Sequence, residues 1–171
     1  MGLVELIPRV GIKVTRIDFN ALVKDYEVMV YLGKMAGTLA ARHMTVEQIK
    51  QMGELIDQLE TAYDNPAHFN DQSANFHLEH LLHKMVHENC RNPTLRKFLD
   101  TLHGRILRMV YAISIHNVPE VIKEKLGIKE LKEFHKMLVK RDDEKAGFFF
   151  AEHSKKYLDA IRKKLSTESY L

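Results

Sequence analysis

The stretch from Asp18 to Arg42, DFNALVKDYEVMVYLGKMAGTLAAR, decides the fold class of this chain. Its apolar residues recur at three- and four-residue intervals, and they include Leu22, Tyr26, Met29, Leu32, Met35, Ala36 and Leu39. That spacing is typical of one face of an α-helix. Asp18 is a favourable N-cap residue, because its carboxylate accepts hydrogen bonds from free backbone N–H groups. We therefore predict a long amphipathic helix that begins after Asp18 and ends near Arg42.

The chain continues in the same way towards its C-terminus. Thr45 and Gln48 form a capping box ahead of a second apolar stripe. Further helical patterns run from near Pro66 to near Cys90, from Asn92-Pro93 through Phe98 to Ile113, from Pro119 to Gly127, and on both sides of Asp142-Asp143. The second stripe comprises Val46, Ile49, Met52, Ile56, Leu59 and Tyr63. Residues 1–14 instead suggest two short strands around a turn. The sequence predicts an all-α antiparallel bundle of about six to seven helices, preceded by a short β-hairpin.

Composition narrows the function classes. The 171 residues are 45% hydrophobic and 29% charged, which fits one folded domain and excludes a disordered or fibrous chain. Cys90 is the single cysteine, so a disulfide framework is excluded and a reducing, cytoplasmic location is expected. No apolar run approaches the roughly 20 residues of a membrane span, and the start lacks a signal-peptide pattern. The net charge of +3 is too small to indicate nucleic-acid binding by itself.

Residues 2–14, GLVELIPRVGIKV, resemble the wing of the winged helix-turn-helix in GntR-type bacterial transcription factors. The remainder of the chain resembles the linker and the effector-binding FCD domain of their FadR subfamily. The order and spacing of several short motifs carry this resemblance over essentially the whole chain. They are Ile17-Asp18, Tyr26-Glu27-Val28, Leu39-Ala40-Ala41-Arg42, Phe76-His77 or Leu82-His83, Asn92-Pro93-x-Leu95, Asp142-x-x-x-Ala146 and His153. The resemblance implies a wing remnant over residues 1–15 and an FCD domain over residues 16–171.

This resemblance also implies a function. Such a domain is the effector-binding and dimerisation region of a ligand-responsive transcriptional regulator that senses a small organic acid, and it is not an enzyme. We expect a homodimer with no membrane association. The recognition helix would lie upstream of Met1, so we expect no sequence-specific DNA binding by this chain alone. In an intact protein, Arg9 and Lys13 of the wing would contact DNA phosphates.

The resemblance further implies a divalent metal inside the bundle. Its ligands would be an Asp-x-x-x-His pair on one helix and two histidines on the last two helices. Counting back from Asn92-Pro93 places the pair on Glu79 and His83. Counting forward from Tyr26-Glu27 places it on Ser73 and His77 instead. We prefer Glu79 and His83, because they supply a carboxylate, and keep His77 as the alternative.

The other two ligand positions fall on the last two helices. His153 matches the terminal position, whereas the remaining one holds Leu131. His135 lies one turn beyond Leu131 and is the expected substitute. Such a mixed nitrogen and oxygen set suits Zn, Ni or Mn.

Several structural alternatives compete with these assignments. His80 and His87 lie on a stripe roughly opposite the apolar residues of their helix, which favours a solvated histidine face. His135 and His153 fall on apolar stripes, where a core histidine with a backbone partner is common. Arg105 and Arg108 have forked donors that suit a carboxylate effector, although solvent-facing arginines are the simpler interpretation.

Two other function classes remain open on the sequence alone. A metal-dependent enzyme on a helical bundle is the weaker alternative, because no Glu-x-x-His or His-Glu-x-x-His motif occurs in the chain. A pure dimerisation module without an effector is the other, since the first and fourth helices carry enough apolar surface for a symmetric partner.

Overall fold

The computed structural model describes residues 4–15, 18–64, 72–116 and 126–167. Within these ranges the chain forms a two-stranded antiparallel hairpin and six helices. The strands are β1 (Val4–Ile7) and β2 (Gly11–Val14); the helices are α1 (Phe19–His43), α2 (Val46–Asp64), α3 (Gln72–Asn89), α4 (Pro93–His116), α5 (Leu126–Val139) and α6 (Asp143–Thr167). In the hairpin, Val4 pairs with Val14 and Ile7 with Gly11. The predicted all-α class with an N-terminal hairpin is confirmed.

The predicted helix starts are confirmed by their capping bonds. Asp18 Oδ1 accepts hydrogen bonds from the backbone N–H groups two and three residues further on, at 2.9 and 3.3 Å. Thr45 and Gln48 cap α2 reciprocally, at 2.8 and 3.2 Å. Asn92 Oδ1 accepts from the backbone N–H of Leu95 at 3.0 Å, with proline as the first residue of α4. These side chains satisfy N–H groups that have no partner within the helix.

Some sequence predictions differ from the structure in detail. Met35, Val46 and Phe98 are expected on apolar core stripes, but their side chains are exposed. Val46 lies in the first turn of α2, and Met35 and Phe98 lie at the margins of their apolar faces, where helical spacing does not separate face from edge. Gly127 is expected to end a helix, yet it lies within α5. The predicted helix after Pro119 and the start near Pro66 lie outside the described residues.

Helix α1 is the centre of the bundle and packs against α3, α4, α5 and α6. Its approach to α6 is close, because glycines stand at the crossing. A Cβ atom on Gly37 would lie 2.7 Å from the Ala146 carbonyl oxygen, and one on Gly147 would lie 2.0 Å from Thr38 Oγ1. Larger side chains at these two positions are therefore incompatible with the observed packing.

The hydrophobic core lies between all six described helices. Leu22 and Met29 of α1, Leu99 of α4, and Phe134 and Leu138 of α5 are among its buried members. No helix in the described part of the chain is long and apolar enough to cross a membrane.

Candidate functional site

Five histidine rings meet inside the bundle and are called here the histidine cluster. Helix α3 contributes His80, His83 and His87, α4 contributes His103, and α6 contributes His153. Residues three, four and seven positions apart share one face of a helix, which explains why the three α3 rings point the same way. The cluster therefore joins the consecutive helices α3 and α4 to α6, which is distant from both in sequence.

His83 lies at the centre of the cluster. Its ring centroid is 5.0 Å from that of His103, 5.4 Å from that of His153 and 6.3 Å from that of His87. His80 stacks on His103, and its Nδ1 lies 2.9 Å from His103 Nε2, so one of these two nitrogens donates a hydrogen bond to the other. Ring contacts thus run without a break from α4 through α3 to α6.

Burial lowers the pKa of three imidazoles of the cluster, those of His83, His87 and His103. His87, His103 and His153 are only 1%, 8% and 5% exposed. Burial, together with the neighbouring His87 and His80, lowers the pKa of His103 to about 3. The pKa of His83 falls well below its usual value for the same reasons, and burial also lowers that of His87. A neutral imidazole carries one lone pair that can bind a proton donor or a metal ion.

Two buried ring nitrogens in the cluster lack a hydrogen-bond partner among the described residues. They are His87 Nε2 and His153 Nε2. A buried polar atom without a partner costs roughly 1 to 3 kcal/mol, so native proteins rarely retain one without a ligand, an ion or a water. These two atoms make the cluster the candidate binding site of the described part of the chain.

Each of these two histidines has a carboxylate beside its other nitrogen. His87 Nδ1 lies 3.1 Å from Asp100 Oδ1, and His153 Nδ1 lies 4.0 Å from Glu130 Oε2. The His153 imidazole, with Lys156 in support, lowers the pKa of Glu130 to about 2, so this carboxylate stays ionised. A carboxylate on the far nitrogen is typical of metal-binding histidines, because it fixes the tautomer and the ring orientation.

A small cavity of about 10 Å³ adjoins the cluster. This space corresponds to a single water molecule or ion. Two of its ten lining side chains are polar, His83 and His153. The apolar lining comes from α2, α3, α5 and α6: Met52, Ile56, Leu82, Val86, Leu131, Phe134, Phe149 and Phe150. In the ranges that the structure describes, no three metal-binding side chains are already gathered around one ion position, so the rings have to turn to bind one.

The predicted metal ligands do not all meet at this site. His83 and His153 are brought together, as expected from the sequence. His135 lies elsewhere, with its Nε2 2.9 Å from the backbone carbonyl oxygen of Ile49, because α5 turns this ring towards α2. Glu79 and the alternative His77 belong to α3, but their side chains are outside the described part of the structure.

The expectation of a solvated face is wrong for His87. Helix α4 covers this side of α3, and its Asp100 Oδ1 lies 3.1 Å from His87 Nδ1. His103 is absent from the residues that the sequence singles out. Its spacing from Leu99 and Ile106 places it on the apolar stripe of α4, and this signal could have identified it as an inward histidine.

The two arginines expected to bind an effector both have partners within the chain. Arg105 Nε lies 3.0 Å from Oδ2 of Asp25, a buried carboxylate of α1. Burial raises the pKa of Asp25, and Arg105 opposes this effect. Arg108 donates hydrogen bonds to Thr15 Oγ1, at 2.8 Å, and to the Thr15 carbonyl oxygen, which ties α4 to the end of the hairpin. Arg9 and Lys13 are exposed on the hairpin.

Comparison with known families identifies the class of this domain. The family model for the FCD domain matches residues 25–156, a span that contains the whole histidine cluster. The chain belongs to the FCD domain family, which confirms the resemblance recognised in the sequence. The FadR subfamily and the division between residues 15 and 16 stay predictions. No curated protein sequence gives a significant match.

Solved structures show the same fold in GntR-type transcriptional regulators. Streptococcus agalactiae GntR matches with a TM-score of 0.64 and 14% identity, over 92% of this chain and 75% of that one. E. coli McbR/YncC matches with a TM-score of 0.79 and 16% identity, over 95% of this chain and 78% of that one. A GntR family transcriptional regulator from Pseudomonas syringae pv. tomato str. DC3000 matches with a TM-score of 0.66 and 14% identity, over 97% of this chain and 66% of that one. At these identities the likeness concerns the fold.

Proposed function

We propose that this chain is the effector-binding and dimerisation region of a bacterial ligand-responsive transcriptional regulator, and that it senses a small organic acid through a divalent metal. The observation that carries the proposal is the pair of buried, unpartnered nitrogens, His87 Nε2 and His153 Nε2, inside an FCD fold. An interior with open imidazole nitrogens is equipped to hold a ligand.

The chemistry of the cluster favours a metal and, through it, an acid. Neutral imidazole nitrogens suit Zn, Ni and Mn. When bound, such an ion offers open coordination positions that attract a carboxylate. Arg105 and Arg108 are committed to Asp25 and Thr15, which leaves the histidine cluster as the better candidate for the acid site.

The position of the cluster suits a regulatory role. A ligand shifts a protein between conformations only by binding one of them more tightly. The cluster links α3, α4 and α6, so a ligand here acts on the relative positions of three helices. Arg108 lies five residues beyond His103 on α4 and binds Thr15, so movement of α4 reaches the hairpin directly.

Thermal unfolding with and without metal tests this function. After chelation, the protein is titrated with Zn²⁺, and then with acetate, lactate, succinate and citrate in turn. We expect Zn²⁺ to raise the melting temperature and at least one acid to raise it further only when Zn²⁺ is present, because a ligand that binds the native state stabilises it. Arg105→Leu is the control variant. It removes the ion-pair partner of Asp25 and should leave the response to acid unchanged.

Other outcomes would favour the competing function classes. A protein whose melting temperature ignores every acid, with or without metal, would fit a pure dimerisation module. Chemical turnover of an acid by the metal-loaded protein, followed by mass spectrometry, would support the enzyme alternative. Either result would overturn the proposal.

A further inference from the structure

A second cavity lies apart from the histidine cluster, where α1, α5 and α6 meet at the surface. It is called here the outer cleft, and its volume of about 540 Å³ is in the range of small-molecule sites. Lys34 of α1 and Met137 of α5 contribute to its lining, and the other lining residues come from the start of α6 and the residue before it. None of the lining residues is a histidine, so this cleft is distinct from the site described above.

Within the outer cleft, α6 places an aromatic ring between two carboxylates. Glu144, Phe148 and Glu152 follow one another at intervals of four residues, so they lie along one face of the helix. The Phe148 side chain is 60% exposed, although phenylalanine is usually buried. The face of such a ring attracts a cation, and a carboxylate one turn away on either side adds charge-assisted hydrogen bonds. This face of α6 therefore suits an ammonium or guanidinium group.

The remaining charges of the outer cleft define the rest of the ligand. Three carboxylates and two lysines line it, so its net charge is −1. Lys145 Nζ lies 2.7 Å from Asp142 Oδ2, and these two charges neutralise each other. Lys34 and Glu144 form no ion pair within the described part of the chain. A complementary ligand carries a cation towards α6 and an anion towards Lys34.

We propose that the outer cleft binds a basic amino acid. Its side-chain guanidinium or ammonium group stacks on Phe148 between Glu144 and Glu152, and its carboxylate binds Lys34. A basic amino acid has a net charge of +1, which complements the charge of the cleft. This site is separate from the acid site proposed above, and binding here requires no metal.

Equilibrium dialysis of the full chain against radiolabelled arginine tests the site. We expect saturable binding, competition by lysine, and little competition by citrulline, which has the shape of arginine without its charge. Agmatine, which is arginine without the carboxylate, tests the other end of the ligand. Lys34→Met should weaken the binding of arginine and strengthen that of agmatine, because it removes both the partner of the carboxylate and a charge that repels the cation.

Variants of α6 test how the cation is held. Phe148→Leu keeps an apolar side chain and removes the ring, so the affinity for arginine should fall about two- to fivefold, as for a cation–π contact at an exposed site. Glu144→Gln combined with Glu152→Gln should lower it about fivefold. The matched control is Glu47→Gln, an exposed glutamate of α2 that should leave the affinity unchanged. Circular dichroism checks that every variant is folded.

Three results would overturn this assignment. The first is a folded wild type that shows no saturable binding of arginine. The second is competition by citrulline as strong as that by arginine, or an affinity that the Phe148 and double glutamate variants leave unchanged. The third is an equal response of arginine and agmatine to Lys34→Met, which would exclude Lys34 as the partner of the carboxylate. None of these results bears on the metal-dependent acid response of the histidine cluster.

Discussion

At the scale of single residues, burying imidazoles makes the metal-free protein sensitive to acid. The pKa of His103 is about 3 in the folded chain, against an ordinary value of 6.5. The unfolded chain therefore binds a proton more readily than the folded one as the pH falls below 6.5. The resulting loss of stability amounts to about 1.4 kcal/mol per pH unit for each such group. Stability from this source is complete above pH 6.5 and declines as the pH falls towards 3.

We predict that His103→Leu flattens this dependence. The groups that face His103 are His80, His83 and His87 of α3, and protonation of any of them adds to the repulsion. Urea unfolding of the chelated protein at pH 7, 6 and 5 should show the variant losing about 1.4 kcal/mol less per pH unit than the wild type. Parallel slopes for the two proteins would contradict the assigned burial of a neutral His103.

A second prediction at this scale concerns the ion pair between the buried Asp25 and the partly exposed Arg105. Arg105→Leu leaves a buried carboxylate without its counter-charge, so we expect a loss of about 1 to 3 kcal/mol in the free energy of unfolding. This is less than for a fully buried pair, because Arg105 is partly exposed. Adding Asp25→Asn should restore part of the loss. The matched control is Arg162→Leu, which breaks surface pairs with Glu27 and Asp159 and should cost less than about 1 kcal/mol. Equal costs for both arginines would contradict the burial of the Asp25 carboxylate.

At the scale of helices, the glycines at the α1–α6 crossing determine how closely the bundle packs. We predict that Gly147→Ala lowers the free energy of unfolding by about 1 to 3 kcal/mol, because its Cβ would lie 2.0 Å from Thr38 Oγ1. Gly104→Ala is the matched control, since no atom lies within 4 Å of its added Cβ and alanine favours a helix by about 0.5 to 1 kcal/mol. Urea unfolding should therefore show that Gly147→Ala lowers the free energy of unfolding and that Gly104→Ala raises it. A Gly147→Ala variant with an unchanged free energy of unfolding would show that α1 and α6 lie further apart than the structure places them.

Helix limits could be predicted from the sequence because capping is a local interaction. Asp18, Thr45 and Asn92 each bond to a backbone N–H within three residues, so the chain encodes these ends without tertiary information. The sequence predicts only part of the histidine cluster. It identifies His83 and His153 as inward residues. The burial of His87 depends on Asp100 of another helix, and periodicity in α3 does not encode that contact.

At the scale of the whole molecule, an exposed apolar stripe on α1 suggests how two copies meet. Val28, Tyr31 and Met35 lie at helical spacing with their side chains exposed, and Phe98 is exposed on the adjacent α4. Exposed apolar side chains that form one contiguous patch are typical of protein–protein contacts. The first and fourth helices are also those from which the sequence predicts a symmetric partner.

We predict that the chain sediments as a dimer of about twice 19.9 kDa at micromolar concentration. Tyr31→Glu should shift it towards monomer, because a buried charge at a symmetric contact is introduced twice. Val46→Glu, which alters an exposed valine of α2, is the control and should leave the dimer intact. A monomeric wild type, or a dimer indifferent to Tyr31→Glu, would exclude this interface.

The central claim is that the histidine cluster holds a metal through which the domain senses an acid. The most direct measurement is an anomalous difference map at the zinc edge, from crystals grown with Zn²⁺ and an acid that raises the melting temperature. We predict one strong peak inside the bundle, about 2.1 Å from imidazole nitrogens of α3, α4 and α6, with carboxylate density beside it. An interior without anomalous signal in crystals grown with excess Zn²⁺, and acid density placed elsewhere, would contradict the claim.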